Sequence, residues 1–220
     1  MDLKNLKINF LGDSITEGAG ASSINKCYVN LIAENYGAIC RNYGVGGTRI
    51  AIQKKSSECP QYDRNFVTRV DEMEQDADVV VIFGGTNDYG HGDAPLGDFS
   101  DTCNDTFYGA LHNLYTSVIN KYPDSLIIVL TPLHREGEQN PCGEGGRKPG
   151  PVAPLKVYCD IIRDVAQYYS LPVIDLYSTS GIQPNIPIIK QKYTVDGLHP
   201  NDVGHAKIAK IIAKFIYNSI

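Results

Sequence analysis

Five short apolar runs recur along the chain, at 8–11, 38–43, 79–83, 126–131 and 173–176, each closed by Gly, Pro, Asp or Ser. Runs this short, bounded by turn residues and rich in Val and Ile, read as strands, and the unbroken Val79-Val80-Val81-Ile82-Phe83 reads as a central one covered on both faces. Between them apolar residues fall at helical spacing: Tyr28, Leu31 and Ile32; Leu111, Leu114, Tyr115 and Val118; Val157, Ile161, Ile162 and Val165. The closing segment 203–220 carries Ile208, Ile211, Ile212, Phe215 and Ile216 as one stripe, which predicts a packed terminal helix with Pro200 at its start.

Strands alternating with helices imply right-handed βαβ crossovers. The expected fold is therefore α/β, a three-layer α/β/α sandwich around a five-stranded, mostly parallel sheet. No linker, internal repeat or low-complexity tract interrupts the 220 residues, so 1–220 is expected to be a single domain. One segment is longer than an ordinary strand-to-helix connection. Residues 133–151, rich in Gly, Pro and charge, are expected to lie over or beside a site.

Composition narrows the function. A hydrophobic fraction of 42% and a charged fraction of 20% are those of an ordinary globular chain. A net charge of −5, with Lys and Arg scattered, offers no basic stripe, so nucleic acid is not an expected partner. The N-terminus lacks a signal-peptide core, and no apolar stretch approaches the ~20 residues of a membrane span, which gives cytoplasmic as the expected location. Cys27, Cys40, Cys59, Cys103, Cys142 and Cys159 show no metal-ligand spacing and are expected as free thiols.

The polar motifs sit at the carboxyl ends of the predicted strands, where an open parallel sheet collects ligands. Gly12-Asp13-Ser14 follows the first strand, Gly44-Val45-Gly46-Gly47-Thr48 the second and Gly84-Gly85-Thr86-Asn87-Asp88 the third, while Asp196-Gly197-Leu198-His199 precedes the last helix. A serine hydroxyl is a weak nucleophile until a base takes its proton, which suits His199. The imidazole in turn needs an orienting acceptor, which suits Asp196. Negative charge developing on a substrate carbonyl needs preorganised donors. The candidates for that oxyanion hole are the backbone N–H groups of Ser14 and Gly47 and the side-chain amide of Asn87.

These blocks together resemble the SGNH hydrolases, the GDSL-type esterase and lipase family. The matching positions are Ser14 in Gly12-Asp13-Ser14-Ile15-Thr16, Gly47 in the glycine loop, Asn87 in Gly84-Gly85-Thr86-Asn87-Asp88 and His199 in Asp196-Gly197-Leu198-His199-Pro200, with Asp196 as the acidic member. The likeness spans Ser14 to His199 and departs from the family's name motif at Ile15, where Leu is typical, a volume-conserving change. It implies a flavodoxin-like sheet and ester hydrolysis through a covalent acyl-enzyme, with a small-molecule ester as partner and no cofactor.

Other readings are weaker. A dinucleotide fingerprint at Gly44 fails where its third glycine is Arg49. Asp196, His199, Asp202 and His205 recur every third residue as metal ligands could, but a helix beginning at Pro200 would carry the second pair away, so no metal is expected. A non-catalytic module on the same fold, or a lysophospholipase- or thioesterase-type lipolytic enzyme, remain as alternatives. Asp13, Arg49, Tyr89, His134 and Arg135 are the expected substrate contacts, with His91 beside them. The charged character of 133–151 favours a small acyl group such as acetyl on a polar alcohol such as a sugar, because a lid for long chains needs apolar surface.

Overall fold

In the computed structural model, which describes residues 1–220, the apolar runs pair side by side. Strands β1 (Lys7–Gly12), β2 (Ile39–Gly44), β3 (Val79–Phe83), β4 (Leu126–Leu130) and β5 (Val173–Ile174) form one sheet in the order β2-β1-β3-β4-β5, every pair parallel. Helices follow in chain order as α1 (Ser14–Glu17), α2 (Tyr28–Tyr36), α3 (Phe66–Arg69), α4 (Thr86–Gly90), α5 (Phe107–Lys121), α6 (Leu155–Tyr168), α7 (Leu176–Thr179), α8 (Pro187–Tyr193) and α9 (Asp202–Ser219). The strand order is the flavodoxin-like one, and it reverses between β1 and β3. That reversal opens a crevice at their carboxyl ends, where α1 with Ser14 and α4 with Asn87 begin.

Period-two alternation divides the strands between two cores. Val79, Val81 and Phe83 point into a core built with α2 and α9, through Tyr28, Ile32, Ile208 and Ile212. Val80 and Ile82 point the other way, into a core built with α5 and α6, through Leu111, Leu114, Ile162 and Val165. The helical stripes expected from sequence are these same residues, so the sandwich has helices on both faces.

Two boundaries differ from the pattern. β5 ends after two residues because Asp175 leaves the ladder to cap α7, its side chain accepting from the Ser178 N–H while also holding Arg163 and Thr131. The terminal helix starts at Asp202, not Pro200. Asn201 is its cap, accepting from the Val203 and Gly204 N–H groups, and Pro200 pairs instead with Thr194 in an isolated bridge. Residues 133–151 contain one 3-10 turn, Glu144–Gly146. Three of their charged side chains pack inward: Arg135, Glu138 and Lys148 are 2%, 2% and 6% exposed. No helix is long and apolar enough to cross a membrane.

Candidate active site

Ser14 is the first residue of α1, turned out of the sheet by a tight corner. Asp13 caps that helix through the Ile15 N–H at 3.0 Å, and Gly12 is required because a Cβ there would fall 1.9 Å from Thr16 Oγ1. At the other end of the chain, the Asp196 carboxylate folds back on its own turn. Oδ1 accepts from the Leu198 and His199 N–H groups at 2.9 and 2.7 Å, and Oδ2 lies 2.7 Å from His199 Nδ1. A carboxylate can only accept, so Nδ1 carries the hydrogen and Nε2 presents its lone pair. That lone pair faces Ser14 Oγ at 3.1 Å. Partial burial works against a charge on Asp196, but its bonds to the His199 side chain and the two N–H groups outweigh it and hold the carboxyl below its ordinary range.

Across from this pair stands a group of donors. Gly47 sits at φ +76, and a Cβ there would collide with the Tyr62 ring at 2.3 Å, so the ring packs directly on the glycine. Asn87, on α4, donates from Nδ2 to Thr48 O at 3.0 Å and places Oδ1 3.2 Å from His91 Nε2. One Nδ2 hydrogen is thereby left over. Asp88 beside it accepts from the Ile50 and Ala51 N–H groups, tying α4 to the chain that follows Gly47. Beneath the loop, buried Arg69 donates to Thr48 Oγ1 and to the carbonyls of Gly12 and Tyr43, bracing the ends of β1 and β2. Ser14, Gly47, Asn87 and His199 all border one open cleft of about 720 Å³.

Of the expected substrate contacts, Arg49 borders the cleft and so does His91. The structure does not bring the other four there. Asp13 is 2% exposed and spent on its cap, and burial pushes its carboxyl up to about 6. Tyr89 is fully buried and its hydroxyl donates to Gly137 O and Asn140 O. His134 bonds Glu138 and packs on Tyr177, and Arg135 donates inward to Thr86 and to Glu144. Each of these side chains is engaged by a partner elsewhere in the fold or on its own turn, which a sequence pattern does not reveal.

The cleft also contains residues that the motifs did not point to. Ser57, Glu58, Cys59, Gln61 and Tyr62 form one wall, and Glu144 and Arg147 from the long connection form another. Glu17 contributes a carboxylate that accepts from the Gly46 N–H at 3.0 Å. The four residues spaced as metal ligands diverge: Asp202 accepts from Ser22, and His205 is buried against Tyr28. No group of three or more His, Cys, Asp or Glu side chains gathers as a metal site, and the six cysteines are unpaired.

The model of the GDSL-like Lipase/Acylhydrolase family matches residues 10–207. A structure of a protein from Lactobacillus plantarum is 27% identical over 99% of both chains, with a TM-score of 0.83. A lipase/acylhydrolase from Enterococcus faecalis is 23% identical over 97% of this chain and 96% of its own, with a TM-score of 0.67. A two-domain esterase active on acetylated mannans is 21% identical over 98% of this chain and 50% of its own, with a TM-score of 0.60. No curated protein matches the chain.

Proposed function

The chain belongs to the GDSL-like lipase/acylhydrolase family, and on that premise we propose that it is a serine esterase that cleaves short acyl esters, acetyl above all, of a polar or carbohydrate alcohol. The observation that carries the reading is the continuous chain Asp196–His199–Ser14, with separations of 2.7 and 3.1 Å, at the border of a polar cleft.

In this mechanism Ser14 Oγ attacks the ester carbonyl carbon while His199 Nε2 takes the hydroxyl proton. The C=O π electrons move onto oxygen, and the resulting oxyanion is met by the N–H groups of Ser14 and Gly47 and the free Nδ2 hydrogen of Asn87. Collapse expels the alcohol, which leaves with the proton from His199, and Ser14 remains acylated. Water then repeats the sequence: His199 takes its proton, the tetrahedral adduct forms and breaks, and the carboxylic acid and free Ser14 are released. Asp196 holds the tautomer throughout and stabilises the imidazolium.

Short-chain preference is supported by the lining, in which only Cys59, Tyr62 and Leu198 are apolar or aromatic, while Glu17, Glu58, Glu144, Arg49 and Arg147 are charged. Burying a long acyl chain against such a wall would strip water from charges without return. The same feature weighs against the lipolytic alternative. A p-nitrophenyl ester series from acetyl to palmitoyl tests the reading, with the highest kcat/KM expected at acetyl or propionyl. A maximum at long chains would overturn the acyl preference, and absence of Ser14 labelling by a fluorophosphonate in folded protein would leave the binding-module alternative.

A further inference from the structure

We propose that Arg49 and His91 are positioning residues that dictate which way the Asn87 amide faces, so that its N–H and not its carbonyl oxygen is turned to the substrate. The inference rests on the esterase reading above and deepens its oxyanion hole.

A carboxamide is nearly symmetric in shape, and only its hydrogen-bond partners decide which end is oxygen. Asn87 is 5% exposed and meets a partner on each side. On one side stands Thr48 O at 3.0 Å, which can only accept. On the other stands His91 Nε2 at 3.2 Å, and a neutral imidazole nitrogen either donates or accepts according to tautomer. The tautomer is set from behind. The Arg49 guanidinium lies 2.7 Å from His91 Nδ1, and a guanidinium has no acceptor, so Nδ1 must accept and the ring hydrogen must sit on Nε2. Nε2–H then donates to Asn87 Oδ1, which leaves Nδ2 for Thr48 O and the cleft.

Arg49 is itself held. It is 6% exposed, donates to Ser57 Oγ at 3.0 Å and Tyr62 O at 3.1 Å, and lies 3.6 Å from Asp63. Asp63 in turn accepts from the Ser57 N–H and hydroxyl. A charge carried by 57–63 thus reaches Asn87 through two side chains. The charged groups around His91 favour its neutral form: burial, then Arg49, with smaller contributions from Arg147 and Arg135 and opposition from Glu144, take the imidazole down to about 4. At neutral pH the ring keeps the one tautomer the chain needs. Reversing the amide would set carbonyl oxygen against carbonyl oxygen at Thr48 and N–H against N–H at His91, and would aim a lone pair at the developing oxyanion.

Two readouts test this. Long-range ¹H–¹⁵N correlation on the folded wild-type protein should show His91 wholly as the Nε2–H tautomer at pH 7, and Arg49→Met should release it into a mixture; a wild-type Nδ1–H tautomer overturns the inference whether or not any ester is turned over. With p-nitrophenyl acetate, His91→Leu should lower kcat roughly 10- to 100-fold, less than the roughly 10²–10³ of a lost oxyanion donor, with KM nearly unchanged. His91→Gln, whose amide N–H can reach Oδ1, should restore most of it. In an Asn87→Ala background His91→Leu should cost nothing further; an undiminished loss there means that His91 acts elsewhere and also sinks the proposal. Failure of the esterase reading looks different: wild type would be no faster than Ser14→Ala.

Discussion

Two of the walls of the cleft are built on different principles. On the wall of Ser14 and His199, the groups are shaped by contacts two or three residues apart: Asp13 with Ile15, and Asp196 with Leu198 and His199. One contact across 185 residues then joins the two turns. On the wall of Gly47 and Asn87, several of the shaping contacts span 38 to 60 residues, as in Asp88 with Ile50, Arg49 with His91 and Lys148 with Asp88, and they run through buried charges. A local turn forms wherever its few residues are present. A buried charge is tolerable only when every partner arrives, so the second wall couples site geometry to the stability of the whole fold.

The largest effects should separate the walls by what they leave intact. Ser14→Ala and His199→Ala are expected to cost about 10⁴–10⁶ in kcat, the scale for groups acting as a unit, while Tm stays within about 1 °C. Asn87→Ala is expected to cost roughly 10²–10³ in kcat as a missing oxyanion donor. It should also lower stability by about 1–2 kcal/mol, because Thr48 O and His91 lose a buried partner. Steady-state kinetics beside thermal melts of all three variants checks this. If Asn87→Ala melts like wild type, the donor wall is not the coupled one.

The same division explains what could be read from the sequence. Strand runs such as Val79–Phe83 and helical stripes such as Leu111, Leu114 and Tyr115 are legible because hydrophobic periodicity is local and burial enforces it. The shortness of β5 was not legible, since Asp175 leaves the ladder for partners just after β4 and on α6. In the site, the turns at Asp13 and Asp196 follow from side chains that bond their own backbone. Arg49, Tyr89, His134 and Arg135 look alike from sequence, polar or aromatic groups in loops after strands, and only tertiary packing decides that Arg49 meets the cleft while the rest turn inward. His91 had a usable signal, for it stands four residues after Asn87, the spacing of neighbours on a helix face. The wall formed by 57–62 had none.

Asp13 tests whether the local wall is free of charge penalties, and it is the one place where it is not. Burial raises its carboxyl from 3.8 to about 6, against the pull of the Ile15 N–H, His199 and Arg69. The folded protein therefore binds a proton more tightly than the unfolded chain. Stability from this group is complete below 3.8 and lost as pH rises through about 6, a cost on the order of 3 kcal/mol above that window. Asp13→Asn keeps an acceptor for the cap and removes the ionisation. Urea denaturation should find the variant more stable than wild type at pH 8 by up to about 3 kcal/mol and level with it at pH 3.5, within the precision of the extrapolation. Equal stability at both pH values would mean that Asp13 is already solvated.

The smallest contrast is between two ion pairs of equal length. Arg135 and Glu144 meet at 2.7 Å with the arginine side chain 3% exposed; Lys156 and Asp160 also meet at 2.7 Å, with side chains 61% and 41% exposed. Arg135 does more than pair. It donates to Thr86 O and Oγ1 and lies over the Tyr89 ring, so it seats the long connection on α4. Arg135→Met preserves the apolar stem but removes the buried bonds to Thr86 O and Oγ1 and the partner of Glu144, and should cost about 2 kcal/mol. It should also raise KM, since Glu144 and Arg147 border the cleft from the segment it anchors. Lys156→Ala removes a pair that water already screens and should cost less than about 0.5 kcal/mol with kinetics unchanged. Equal losses from the two would mean that the long connection is held by its backbone contacts alone, and the donor wall would then owe nothing to its buried charges on that side.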